Sequence, residues 1–500
     1  MYSVVVAFGL ASVMLCIGMA IRAKVKFFQH MLMPVSVIGG ILGFILMNLV
    51  LSKYPVGGVS VTDFSNIVDV FFVMSFISIG LTGSKKKKNK KTEDGKKKKS
   101  SGPVRGAIGM ALIWCILYAL QPLVGILIVS ITGKAFHMDS MYGILVPFAF
   151  CQGPGQASTY GRLFEYTYGF DKAEMVALTY AIFGFLSAFL IGVPFARYGL
   201  KKGLARNKSN EAVERGYFVP EEQREPLGKS TFHSANIETA AAHFAIMGVC
   251  YLLALVLAKL VNFIPALGST FSAMLFMWGM FAAYIVKAVM RKLNIEYLIN
   301  NAFQSRITGF LSDYLVVCAF MAIQVGIIGN WIVPILLASV ASGIVTFFIC
   351  LFFGERLGSD HDFERVLGVF GTSTGTTPSG VSLLRMVDPK LQTSTGAELG
   401  MMNMAMIFST PTMLFITFAG LKMISLPIAC GGMFLTIFIY IILLKVFGVL
   451  RKPTFTVAKG RISDGAESGE EIPFLRGYLH DTVDVTDTAA VESMIHNSWN

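Results

Sequence analysis

The feature that most constrains this chain is a series of long apolar runs that reach the length a helix needs to cross a lipid bilayer. A bilayer core about 30 Å thick is crossed by about 20 helical residues. Of the 500 residues, 54% are hydrophobic and only 14% are charged. A soluble fold with that balance would expose too much apolar surface. The sequence therefore predicts an all-α polytopic membrane protein.

Eleven apolar runs are long enough to be membrane-spanning helices. They lie at about 2–21, 33–51, 65–83, 106–131, 172–196, 238–262, 271–290, 307–328, 331–353, 398–420 and 424–448. Two further segments, about 141–165 and 366–388, have an apolar start and then break down into Gly, Thr, Ser and Pro. We interpret each of these two as a re-entrant hairpin or a broken helix.

The distribution of Lys and Arg predicts the orientation and tests the hairpin interpretation, because cytoplasmic loops are enriched in these residues. If each hairpin enters and leaves on one face, the loops placed inside carry 28 of them and the loops placed outside carry three. A full crossing by 141–165 would put the basic loop 197–235 outside. We therefore expect a multi-pass cell-membrane protein with its N-terminus outside and its C-terminus in the cytoplasm. The net charge of +12 comes largely from such loops, above all the lysine run at 85–99, and does not indicate nucleic-acid binding.

An internal repeat relates the two halves of the chain. DVFFVMSFISIG begins at Asp69 and DYLVVCAFMAIQ begins at Asp313, each in the third predicted helix of its half. Inverted repeats with interrupted segments at matching positions are typical of secondary transporters. The sequence thus predicts two inverted-topology repeats of five transmembrane helices, each with a hairpin, plus one extra C-terminal helix. The predicted domains are a first repeat over 1–197, a cytosolic linker over 198–236, a second repeat over 237–420, an additional helix over 421–450 and a cytosolic tail over 451–500.

The two broken segments are the predicted binding site. Unwound backbone is tolerated inside a membrane only where it is buried in protein or lines a wet cavity. Helix N-termini attract anions, whereas freed carbonyls and hydroxyls suit a small hard cation such as sodium. Gly and Pro are expected to unwind both segments, although small residues also permit a close helix crossing. The predicted ligands of a small anionic substrate are Gly153, Gly155, Gln156, Ser158, Thr159, Arg162, Gly375, Thr376, Thr377, Pro378, Ser379 and Arg385.

Other polar residues near the segments have more than one interpretation. The predicted sodium ligands are Thr372, Ser373, Thr374, Asp69 and Asp313, of which the two carboxylates can instead cap their helices at the interface. Arg162 and Arg385 can clamp a substrate carboxylate. Each Arg can also pair with the acidic residue three positions later, which is Glu165 or Asp388.

At these segments the chain resembles the bacterial sodium/glutamate symporter family. Gly153, Gly155, Ala157, Ser158 and Thr159 occupy the region of a Gly-rich motif of that family. A second family motif, Gly followed by Thr-Pro-Thr, is matched by Gly375 and the run Thr377, Pro378 and Ser379, and the pattern at 313–324 also fits. The likeness covers about residues 1–420. This chain departs from the family where Pro154 replaces a His and Ser379 a Thr, and where a helix is added at the end.

The resemblance implies sodium-driven uptake of an acidic amino acid across the bacterial inner membrane. It also implies a homodimer, in which a scaffold joins the partners while a unit carrying both hairpins moves. The residues alone support a secondary transporter for a small solute, with another organic anion or amino acid as alternative cargo. A passive channel would need a continuous polar pore, and an intramembrane enzyme would need a nucleophile or metal constellation. Neither an HExxH motif nor a Walker motif is present, so we expect no enzyme activity, no ATP drive and no cofactor besides sodium.

Overall fold

The computed structural model of the protein describes a chain that is almost entirely helical. The described residues are 2–31, 33–52, 57–82, 102–206, 227–233, 235–264, 268–388, 393–402, 408–457 and 460–461. The predicted lysine-rich loop at 85–99, most of the linker over 198–236 and most of the tail over 451–500 lie outside them.

The helices of the first half are followed directly by short 3₁₀ or π turns in several places. Their bounds are α1 Ser3–Lys24, α2 Lys26–His30, α3 Val35–Ile45, α4 Val61–Leu81, α5 Gly102–Thr132, α6 Val146–Phe150, α7 Pro154–Arg162 and α8 Ala173–Lys202. A π turn over Leu46–Leu51 extends α3, and a 3₁₀ turn over Ser140–Leu145 leads into α6.

The helices of the second half are similar in length, and a two-residue antiparallel strand pair follows them. Their bounds are α9 Thr239–Val261, α10 Gly268–Ala273, α11 Leu275–Lys292, α12 Asn301–Met321, α13 Val325–Ile328, α14 Ile332–Gly354, α15 Asp362–Ser373, α16 Thr377–Val387, α17 Thr395–Met402, α18 Thr410–Gly420 and α19 Leu426–Val446. The strands are β1 Phe455–Thr456 and β2 Gly460–Arg461.

Seven described helices are long and apolar enough to cross a membrane, namely α1, α4, α5, α8, α9, α14 and α19. The prediction of an all-α polytopic membrane protein is therefore confirmed at that level. The predicted span 398–420 corresponds to α17 and α18, and the residues between them, 403–407, lie outside the described chain. α4 begins at Val61, earlier than predicted, because Ser60 and Asp63 form a capping box at its start.

The described helices pack as two groups. The flanking group consists of α1, α3, α4, α9, α11 and α12, and the hairpin group consists of α5 to α8 and α14 to α19. At the centre of the flanking group α4 and α12 run antiparallel, since Ser78 Oγ lies 2.7 Å from Thr308 Oγ1 while the Phe71 ring lies 6.1 Å from that of Phe310. The groups meet mainly where α7 packs against α4 and α12.

Each predicted broken segment is a pair of short helices folded against each other. Phe148 of α6 stacks on Tyr160 of α7 with ring centroids 3.7 Å apart. In the second segment a Cβ on Gly371 of α15 would lie 2.8 Å from the Cα of Gly380 in α16. Only Cys151–Gly153 and Thr374–Thr376 separate the helices. The expectation of unwinding is therefore wrong for the residues that lie within helices, namely Pro154, Gly155, Gly371, Pro378 and Gly380. Pro154 and Pro378 instead lie in the first helical turn, where a missing N–H breaks no bond.

Candidate substrate and ion site

The two helix breaks touch each other inside the hairpin group. Gly153 has a positive φ of 80°, which a side chain would strain. A Cβ at this position would lie 2.5 Å from Cγ2 of Thr376 and 3.0 Å from the carbonyl oxygen of Gly375. The sequence segments around Gly153 and Gly375, which are more than 200 residues apart, therefore lie against each other.

Two helix N-termini face this meeting point. α7 begins after Gly153 and α16 begins after Thr376, and neither N-cap residue supplies a side-chain hydrogen bond to the first turn. The first N–H groups of a helix have no partner within the helix and carry partial positive charge. Two such ends at one point form an electropositive site that suits a carboxylate.

Buried polar atoms without a hydrogen-bond partner lie in the same segments. Within the described chain both amide atoms of Gln156 are buried and unpartnered, as are Oε1 of Gln152 and Oγ of Ser373. Leaving such a group unpaired costs about 1–3 kcal/mol. Their concentration beside the two breaks is what a site for a polar ligand would show.

Gln121 of α5 links the two breaks, and its role was not predicted from the sequence. Its Nε2 donates to the carbonyl oxygen of Ser373 at 2.9 Å and to Oγ1 of Thr346 at 3.0 Å. Its Oε1 accepts a hydrogen bond from Sγ of Cys151 at 3.2 Å. One amide thus fixes the end of α15 relative to the end of α6. The available signal was a single Gln directly before Pro122 in an otherwise apolar span.

The predicted sodium-binding hydroxyls lie at the C-terminal end of α15. Thr372 Oγ1 donates to Gly368 O at 2.8 Å, and Thr374 Oγ1 donates to Phe370 O at 2.7 Å. Because a donating hydroxyl keeps acceptor lone pairs, these oxygens and the last carbonyls of the helix fit the donor set of a hard cation.

Arg162 lies away from the breaks, in an ion-pair network. It is nine residues beyond Gly153 along α7, about 13 Å at the helical rise. Its Nη1 pairs with Asp69 of α4, and its Nε lies 2.9 Å from Oε1 of Glu174. The Ser158 hydroxyl has one proton to donate, and its Oγ lies 2.8 Å from Oε1 of Glu174 and 3.1 Å from Oδ1 of Asp69. The alternative partner Glu165 instead accepts from the backbone N–H of Glu174.

Asp313 and Arg385 are both exposed, and neither forms an ion pair with a described residue. Asp388, the alternative partner of Arg385, is buried and accepts from the backbone N–H and the hydroxyl of Thr393 at 2.8 and 2.7 Å. Asp69 and Arg162 are therefore joined across the two helix groups, whereas Asp313 and Arg385 do not pair with each other.

Comparison with known proteins identifies the family. The family model described as sodium/glutamate symporter matches residues 2–393. The chain belongs to the sodium/glutamate symporter family. The match ends before α17, whereas the resemblance seen in the sequence extended to about residue 420. Because this family consists of transporters, the chain is a multi-pass membrane transporter and not an enzyme.

Three curated relatives have the name sodium/glutamate symporter. Those from Escherichia coli (strain K12) and Shigella flexneri are each 24% identical over 381 residues, which is 75% of this chain and 87% of their own length. The relative from Haemophilus influenzae is 21% identical over 384 residues, 76% of this chain and 87% of its own. No solved structure matches the chain.

A second ion-pair network in this symporter-family chain was also missed. Arg365 of α15 was counted with the loop cations, but it is buried and forms two 2.8 Å hydrogen bonds to Glu398 of α17 and one to Asp362. His361 lies next to this network. Burial lowers the pKa of His361, yet hydrogen bonds to Asp360 and Glu398 raise it more, so that its pKa lies above 6.5. The network fastens the start of α15 to α17.

Residues Gly371–Gly375 read GTSTG, which matches the GxSxG pattern of hydrolase nucleophiles. That pattern needs a strand-to-helix turn beneath the Ser. Here Ser373 ends a helix, and its hydroxyl has no partner among the described residues, so the match carries no catalytic meaning. Within the same described chain no group of three or more His, Cys, Asp or Glu side chains is arranged to hold a metal ion.

Proposed function

We propose that this protein carries glutamate or a related small carboxylate into the cell together with sodium, by alternating access, and binds both where the two helix breaks meet. The single observation that carries the proposal is the pair of uncapped N-termini of α7 and α16 beside the unpartnered amide of Gln156. The names of the relatives support glutamate as cargo and sodium as the coupling ion.

In this proposal the two N-termini bind a substrate carboxylate through backbone N–H groups around Gly155 and Ser379. The amides of Gln152 and Gln156 hydrogen-bond the rest of the cargo, since glutamate carries a second carboxylate and an ammonium group. The carbonyls and hydroxyls at the end of α15, from Thr372 to Thr374, bind sodium. Pro378 and Pro154 hold the starts of their helices open to the ligand.

We further propose that the two broken segments enter the membrane from opposite faces and belong to inverted repeats. Matching contacts support this. α11 packs on α4 where a Cβ on Gly279 would lie 3.0 Å from Ile77, and α3 packs on α12 where one on Gly40 would lie 2.8 Å from Phe320. The proposal includes an N-terminus outside the cell, a cytoplasmic C-terminus and a homodimer.

Purified protein in liposomes tests the function. With a sodium gradient directed inward, labelled glutamate should accumulate above its external concentration, and accumulation should stop when a sodium ionophore removes the gradient. Equilibration without accumulation would indicate a channel instead. Accumulation of another dicarboxylate or amino acid, but not of glutamate, would keep the symport mechanism and change the cargo.

A further inference from the structure

Asp69 with Arg162 and Asp313 with Arg385 occupy matching positions in the two halves. Each Asp starts the repeated segment in its helix, α4 or α12. Arg162 lies nine residues after the N-cap of α7, which is Gly153, and Arg385 lies nine residues after the N-cap of α16. Each half therefore places one Asp on the flanking group and one Arg on a short helix of the hairpin group.

The register of α7 on α4 shows where the hairpin group lies. Gly155 packs against Phe72, and Ser158 bonds to Asp69, so the two helices run antiparallel. The break at Gly153 is then level with about residue 74 of α4. Phe71 packs against both Phe310 and Tyr314, which makes Asp69 level with Asp313 where α4 and α12 cross. The break lies about 7 Å beyond that level along α4, at the helical rise.

This displacement of the break from the level of Asp69 and Asp313 gives the two halves different surroundings. α7 packs on α4 and α12, and the first Asp–Arg pair closes across the boundary. α16 packs chiefly on α15, α8 and α17, and the second Asp and Arg stay exposed. With the predicted topology the displacement is towards the cytoplasm. A mirror-related position of the hairpin group would put α16 on α12 after a movement of about 14 Å.

Charges at membrane depth must be paired or hydrated, since an isolated one costs several kcal/mol. Asp69 and Arg162 meet this requirement by pairing. Asp313 lies in the predicted span 307–328 and Arg385 in the predicted hairpin 366–388, and neither has an ion-pair partner in the described chain. Ser36 supplies one hydrogen bond to Asp313, so the exposed remainder of both charges needs water in this position of the hairpin group. An inward-open transporter requires a closed contact at Asp69 and Arg162 and water around Asp313 and Arg385.

We propose that Asp69–Arg162 and Asp313–Arg385 are alternating ion pairs, one of which closes while the other opens as the hairpin group slides along α4 and α12. This inference rests on the proposed function, because the exchange needs a transport cycle. It gives all four charges a gating role rather than a place in the cargo or ion site.

Cross-linking in native membranes tests the exchange without measuring transport. The background chain has the accessible Cys16 and Cys430 replaced by Ser. In it, Asp69→Cys/Arg162→Cys and Asp313→Cys/Arg385→Cys are treated with a short bismaleimide. The control is Ser78→Cys/Thr308→Cys, which joins α4 and α12 within the flanking group. All three pairs should cross-link, and sodium with glutamate should shift the yields of the first two in opposite directions and leave the control unchanged.

Two results would overturn the exchange: no link between positions 313 and 385 when the other two pairs react, or a link from position 313 only to a second copy of the chain. Opposite shifts with a different cargo, in a chain that does not transport glutamate, would contradict only the proposed substrate.

Charge reversal gives a second measurement on protein that is retained in the membrane. Asp313→Arg and Arg385→Asp should each reduce uptake, and the double reversal should restore it by about tenfold relative to the product of the single effects, as expected for directly coupled groups. Purely multiplicative effects would contradict the pairing.

Discussion

α7 and α16 have closely similar beginnings and very different surroundings. Both start beside a helix break, both have a Pro in the first turn, and both carry an Arg nine residues after the N-cap. Arg162 is paired across the two helix groups, whereas Arg385 is exposed. Under the proposed alternating access, the two environments correspond to one of two positions of the hairpin group. In this proposal the different surroundings of Arg162 and Arg385 indicate the conformational state, and the similar beginnings of α7 and α16 indicate the binding site.

The largest expected effect comes from separating the two breaks. Gly153→Val should abolish sodium-driven uptake, because a side chain at φ 80° is strained and would collide with Thr376. The measurement is initial uptake in liposomes at matched protein amounts. Gly248→Val in α9 is the control, since a Cβ there meets nothing within 4 Å. Equal uptake by both variants would contradict the placement of the site.

The next effect compares the two Arg networks. Glu398→Gln leaves the buried Arg365 without its main partner and should lower the free energy of unfolding by about 3–5 kcal/mol. Glu174→Gln acts on the half-exposed Arg162, which keeps Asp69 as a partner, and should lower it by less than about 1 kcal/mol. Thermal unfolding in detergent, with the two variants side by side, checks the order. Equal destabilisation would contradict the greater burial of the Arg365 network relative to the Arg162 network.

A smaller effect separates binding from stability. Gln156→Leu should weaken glutamate binding at least about tenfold and should leave stability unchanged or improve it, because it removes an unpartnered buried amide. Gln304→Leu is the matched control, since Nε2 of Gln304 already donates to Ser78 at 2.9 Å and its loss should destabilise the protein. Binding and unfolding temperature are measured on both. A stability loss at Gln156 with unchanged affinity would exclude it from the site.

The smallest effect concerns His361, next to the second Arg network. The folded state raises its pKa above 6.5, so its protonation stabilises the fold fully below pH 6.5, and this contribution disappears as the pH rises through the folded value. The unfolding temperature of the wild type should therefore fall more than that of His361→Gln between about pH 5.5 and 8.5. Parallel curves would contradict the assignment of the shift to this residue.

The sequence predicted those features that depend on local composition. Apolar length located most of the helices, and clusters of Gly and Pro located the two breaks near Gly153 and Gly375. It overestimated the unwinding, because a Pro in a first turn starts a helix as readily as it ends one. Whether Asp69 or Glu165 is the partner of Arg162 could not be predicted, since the choice depends on how α4 packs against α7.

The contacts of Gln121 and Arg365 were beyond a single sequence for the same reason. Gln121 lies in an apolar run, and its partners Cys151, Thr346 and Ser373 come from three other segments. Arg365 looks like one more loop cation until Glu398, 33 positions later, is placed against it. Buried polar networks of this kind join distant parts of the chain, and local patterns contain no signal for the pairing.

The most direct test of the central claim is a cryo-EM map of the protein with glutamate and sodium bound. We expect ligand density between the N-termini of α7 and α16, within hydrogen-bonding distance of the amide of Gln156, and ion density beside the end of α15. Density for glutamate elsewhere in the hairpin group, or around Arg162 and Asp69, would contradict it.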